Sequence, residues 1–226
     1  MGQGSYVICE WDSVAKEYPN FQQAFRSLET QLITKCSAEW APKTFGSLTP
    51  NAGQFGRTTW LPALFRCGNA TAHVVAGVGQ QFGSGLGTVP APRDWRQLFI
   101  VQGHQELLTG AGAGHTIPED FKLGLMGFAF PNQQQHITEI KMQIGDRKYG
   151  RINLEEMLSY NKPAIIFEEG FTIDEEEAFE LTGYVEGPIP IHHDGWVGVR
   201  QRIVPLGACY YKIIDKVLGD CGAVIT

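Results

Sequence analysis

His192-His193-Asp194, set between Pro188, Pro190 and Gly195, places imidazole and carboxylate donors side by side, the donor set of a divalent transition metal. In an extended segment neighbouring side chains point to opposite faces, so His192 and Asp194 share a side and His193 does not. Two donors leave a coordination shell open. The third and fourth would come from His104, His115 or His136, which no local spacing ties to the pair. The alternative reading is a polar loop tip between two strands. A cupin arrangement is not met, because Ile191 precedes His192 and no glutamate follows closely.

Other groups of reactive residues fall short of the patterns they approach. Gly77-Val78-Gly79-Gln80-Gln81-Phe82-Gly83 has its third glycine one place late for a dinucleotide fingerprint, and no amphipathic helix follows to meet a phosphate. Gly83-Ser84-Gly85 is not a nucleophile elbow, since Phe82 and Leu86 stand where glycines are needed. Glu168, Glu169 and Asp174 to Glu177 bracket Gly170-Phe171-Thr172-Ile173 without the alternating ligands of a calcium loop, and they read as a solvated turn or a cation site at a subunit contact. Cys9, Cys36, Cys67, Cys209 and Cys221 contain no Cys-x-x-Cys and read as buried thiols, with one bridge between distant segments left open. Asn69-Ala70-Thr71 is a formal glycosylation sequon. The expectation is a protein that is not an enzyme and holds no cofactor, with metal binding at His192 and Asp194 as the exception to test.

Alternation of apolar and polar residues predicts the elements that would position such groups. Phe21, Phe25, Leu28 and Leu32 recur at spacings of four, three and four, one apolar stripe of a helix that begins near Pro19. That stripe would pack on a sheet or form an interface with a neighbouring subunit. Between Ala41 and Gly114 prolines and a glycine run from Gly77 to Gly87 predict loops with short strands, at Ala72 to Val78 and Leu98 to Gln102. From Phe121 onward the pattern is β. Ile140, Met142 and Ile144 alternate with polar residues, Gly145-Asp146-Arg147-Lys148 turns a hairpin, and a helical turn covers Leu154 to Ser159. Ala164 to Phe167, Phe179 to Val185 and Arg202 to Ile214 complete the strands, with Pro205 marking an edge or a bulge. The fold class is therefore mainly β: one β-sandwich or jelly roll over residues 1–226, with a helical extension at 1–40, a loop-rich part at 41–120 and the sandwich strands at 121–218.

Composition narrows the partners. Charged residues are 19% of the 226, hydrophobic residues 43% and glycines 27 in number, enough for a core and many turns. A net charge of −6, without a basic cluster longer than Arg147-Lys148, gives no footprint for a phosphate backbone. No basic, apolar leader and no stretch of ~20 apolar residues is present, which predicts a chain made in the cytoplasm without a membrane span. A sugar-binding module would use an exposed aromatic, and Trp95, Trp196 and Tyr184 are the candidates.

The strand rhythm from about Phe121 to Lys216, with Phe179-Glu180-Leu181-Thr182-Gly183-Tyr184-Val185 as a representative segment, resembles the single jelly-roll shell proteins of tailless icosahedral viruses. That resemblance implies a virion subunit repeated about symmetry axes, contacting copies of itself through the N-terminal helix and the glycine-rich loops. Such shells often carry a basic arm. Residues 1–20 hold only Lys16 against Glu10, Asp12 and Glu17, so the inner face is expected to meet a membrane or another shell protein rather than nucleic acid. A filament or cage of cellular origin would need the same features.

Overall fold

The computed structural model describes residues 6–9, 18–40, 55–67, 95–99, 101–131, 136–160, 162–189 and 198–212. In chain order the strands are β1 (Tyr6–Cys9), β2 (Phe55–Thr58), β3 (Phe65–Cys67), β4 (Arg96–Phe99), β5 (Gly103–Gly110), β6 (Phe121–Ala129), β7 (Ile137–Ile144), β8 (Arg147–Lys148), β9 (Ile152–Asn153), β10 (Ala164–Ile173), β11 (Phe179–Val185), β12 (Val199–Arg202) and β13 (Val204–Lys212). The helices are α1 (Phe21–Glu39) and α2 (Glu155–Tyr160).

Two antiparallel sheets form a β-sandwich. Sheet 1 runs β1-β10-β6-β13-β2; sheet 2 runs β3-β5-β11-β7-β8 with β9 also on β7; β4 and β12 pair separately. The pairings nest: β2 with β13, β5 with β11, β6 with β10, and β7 with β8 and β9. β13 also pairs with β6, and β11 with β7. Sandwich strands thus begin well before residue 121. β1, β2, β3 and β5 also belong to the two sheets. β2 and β5 carry few apolar residues, so pairing across the chain rather than local pattern defines them.

Inward side chains fill the space between the sheets. Leu107, Leu123, Phe128, Ile137, Phe179 and Leu181 are fully enclosed there. Pro205 lies where only β6 pairs with β13, because β2 reaches no further than Cys209, and the register slips just beyond it between Leu206 and Gly207. A proline there removes no ladder hydrogen bond on the open side.

α1 packs across the outer face of sheet 1, against β10, β6 and β13. The register of β6 explains the seat. Both β10 and β13 pair with Leu125 and Gly127 and bypass Met126 between them. Met126, on the same outward face as Gly124 two residues before it, joins Leu28, Leu32, Cys36 and Trp40 in the cluster beneath the helix. Gly124 and Gly170 let the helix approach closely, since a Cβ on either would lie 2.6–2.7 Å from Leu32 Cδ1 or Leu28 Cδ2. Leu28 is 2% exposed and Leu32 is fully buried. Phe21 and Phe25, with rings stacked 6.0 Å apart, are partly buried on the same face. Leu28 and Leu32 are thus spent on packing against the chain's own sheet, one of the two seats expected for the stripe, while Phe21 and Phe25 keep part of their surface exposed. A sheet face left apolar by Met126, Ala208 and Tyr210 captures the helix first.

Candidate functional site

With sheet 1 covered by α1, the outer face of sheet 2 is the broad strand surface that no described element covers. Its side chains follow from period-two alternation. On β11, Phe179, Leu181, Gly183 and Val185 turn inward, so Glu180, Thr182 and Tyr184 face out. On β7, Ile140, Met142 and Ile144 turn inward and Glu139, Lys141 and Gln143 face out. β5 carries a bulge: Leu181 pairs with Leu108 and Thr182 with Glu106, so Leu107 is skipped. Leu107 and Leu108 are consequently both buried, and His104 and Glu106 are both exposed.

The register places Thr182 between Glu106 on β5 and Lys141 on β7. A short side chain flanked by long ones makes a hollow, and a groove of about 520 Å³ lies here. Its lining includes Glu106, Glu139 and Glu180 together with Lys141, Lys148 and Arg151. Arg151 Nη1 stands 3.3 Å from Glu139. The Thr182 hydroxyl donates to the Lys141 carbonyl at 3.4 Å, and Gln143 Nε2 donates to the Gly145 carbonyl at 3.0 Å. Beside the groove Tyr184, 37% exposed, meets the His104 ring edge to face at 5.2 Å.

The opposite side of the molecule holds a charged cluster under the end of α1. Lys122 Nζ is 2.7 Å from Glu39, 3.4 Å from Asp174 and 3.8 Å from Glu175, and its side chain is 1% exposed. The ammonium also lies 5.3 Å from the centre of the Trp40 ring. Trp40 Nε1 donates to Glu175 at 3.2 Å, and Glu175 accepts the Asp120 N–H at 2.9 Å. Asp174 takes a second ion pair, from Lys35 at 2.7 Å. Asp174 and Glu175, read from sequence as a solvated turn or a cation site, are thus occupied by the chain's own lysines. No sequence spacing could show this, since Glu39, Lys122 and Asp174 come from three separate elements.

The other expected groups fall as follows. His192 and Asp194 lie outside the described residues, as do Trp196, the glycine run and the Asn69 sequon. His104 is on β5, His115 in a turn after β5 and His136 just before β7. Among the described residues no three His, Cys, Asp or Glu side chains are grouped to hold a metal ion. Trp95 packs against the core with its ring 5.8 Å from that of Phe65, so it is no exposed platform. Tyr184 is the aromatic that sequence and structure both place at the surface. No helix among the described residues is long and apolar enough to cross a membrane.

Cys36 and Cys209 are buried thiols outside any disulfide. Burial pushes the Cys36 thiol up to about 12, a rise that the nearby Lys122 charge only partly offsets. At pH 8 its thiolate fraction is then about a thousandfold below that of an ordinary cysteine. Iodoacetamide should leave Cys36 unmodified in the native protein and label it once urea unfolds the chain, as read by peptide mass spectrometry.

No family model, no curated protein and no solved structure matches this chain.

Proposed function

We propose that this protein is a structural subunit that assembles with copies of itself into a closed shell, in its most specific form the capsid of a virus. The observation that carries the reading is the nesting of strand pairs. β2:β13, β5:β11, β6:β10 and β7:β8/β9 follow the order of an eight-stranded ribbon wound into a jelly roll, an architecture used by capsid subunits, lectins and cupins. Two features favour a shell over the other uses. The interior that a cupin gives to its metal is packed here with Leu, Ile, Phe and Trp side chains. The helix also covers one sheet within the chain, which leaves the sheet edges for lateral contacts between copies.

Light scattering and negative-stain imaging of the tag-free protein, across concentration and salt, test the reading. Closed or regularly repeating particles of many chains are expected. A species with the mass of a single chain under every condition, including in the presence of lipid vesicles, would remove it.

A further inference from the structure

The geometry points to the groove on sheet 2 as a binding site for a short neutral oligosaccharide, an activity beyond assembly itself. Charge is the first argument. Three carboxylates, Glu106, Glu139 and Glu180, face three cations, Lys141, Lys148 and Arg151, so the lining has no net charge and does not select a polyanion or a polycation. Only Glu139 and Arg151 are joined in an ion pair, and among the described residues Glu106, Glu180, Lys141 and Lys148 form none. Four charged groups therefore keep hydrogen-bonding capacity toward a ligand. A sugar hydroxyl donates and accepts at once, and alternating carboxylates and ammonium groups match it on both counts.

Spacing is the second argument. Glu106, Thr182 and Lys141 stand on adjacent strands about 4.8 Å apart, close to the advance of one sugar unit along an oligosaccharide. A chain of sugars laid across β5, β11 and β7 would meet acceptor, floor and donor in turn. The third argument is Tyr184, whose partly exposed ring beside the groove stands at 76° to that of His104 and offers apolar surface to the C–H side of a sugar ring. The groove volume, about 520 Å³, is that of a small-ligand site.

Isothermal titration of the full chain tests this with soluble neutral oligosaccharides of glucose, mannose, galactose, xylose and N-acetylglucosamine, and with sialyllactose and a heparin fragment as charged controls. At least one neutral probe should bind, with an affinity that salt hardly changes. Thr182→Arg, which fills the floor, and Tyr184→Ala, which removes the ring, should each weaken it by about tenfold or more while melting temperature stays near that of the parent. Binding by no neutral probe, tighter binding of a charged control, or an affinity that both variants leave intact would overturn the assignment. Particle formation by the same variants is read separately, so failure of the sugar site leaves the assembly reading standing, and the converse holds.

Discussion

Lys122→Ala should lower the unfolding free energy by about 3 kcal/mol, near the bottom of the range for breaking a buried ion pair. The ammonium is enclosed, but its partners are not: Glu39 and Asp174 are 50% and 37% exposed, so the orphaned carboxylates can regain water. Lys122→Met keeps most of the buried volume of the side chain and should cost less, about 1–2 kcal/mol, mainly the repulsion left among Glu39, Asp174 and Glu175. Urea titrations at pH 7 check both values. The pH dependence has a definite sign. Burial raises the Asp174 carboxyl, but the hydrogen bond and charge of Lys35, with the charge of Lys122, more than reverse this and hold it below its ordinary value. Its contribution to stability is therefore complete above the unfolded value and is lost as pH falls through the depressed folded one. Burial likewise pulls Lys122 down, and the hydrogen bond to Glu39 with the charges of Asp174, Glu39 and Glu175 outweighs it, leaving the ammonium raised. That contribution is complete below the unfolded value and is lost only as pH rises through the raised one, so it is intact at pH 7. Stability of the parent should fall below about pH 4, and Lys122→Met should flatten part of that fall. A Met variant more stable than the parent at pH 7 would mean that removing the lysine from water costs more than its three partners return.

The residues that alternate cleanly were legible in advance. The polar and apolar faces of β7 and β11 stand where the period of two puts them, and α1 carries its stripe from Phe21 through Leu32 as spaced, then one turn further to Cys36, with Trp40 following at the helix end. What the stripe packs against was not legible, because no local pattern ties the helix to the outward face of β6 and β13 that carries Gly124, Met126, Ala208 and Tyr210. The groove was hidden for a related reason. Glu106 faces Thr182 only because the bulge at Leu107 shifts β5 by one residue, and a one-residue shift exchanges the two faces of a strand. Tyr184 could be found in sequence as an outward position on β11. Trp95 could not be told from it, since its burial comes from Phe65 on a distant strand.

Phe65→Ala should cost about 3–5 kcal/mol, a large part of the 5–15 kcal/mol that holds a typical domain together. The chain passes from sheet 1 to sheet 2 between β2 and β3, and Phe65 is the first residue of β3 after that crossing. Its ring is fully buried, stacked on Trp60 at 5.1 Å and set edge-on to Phe179 at 5.7 Å. Trp60 in turn donates its indole N–H to the Gly124 carbonyl at 2.9 Å, so the aromatic group ties β3 and β11 of one sheet to β6 of the other. Removing the ring leaves a cavity that these anchored neighbours cannot close, and the loss should exceed the apolar transfer energy alone. Phe65→Leu, which keeps most of the volume, should cost less than half as much. Urea denaturation gives both numbers, and near-ultraviolet circular dichroism reports whether the tryptophan environment survives. The Ala variant also separates two origins of the groove. If Thr182, Glu106 and Lys141 are held by their strand register, sugar binding should persist below the melting temperature of this variant. If they depend on the junction at Phe65, binding should fall together with stability.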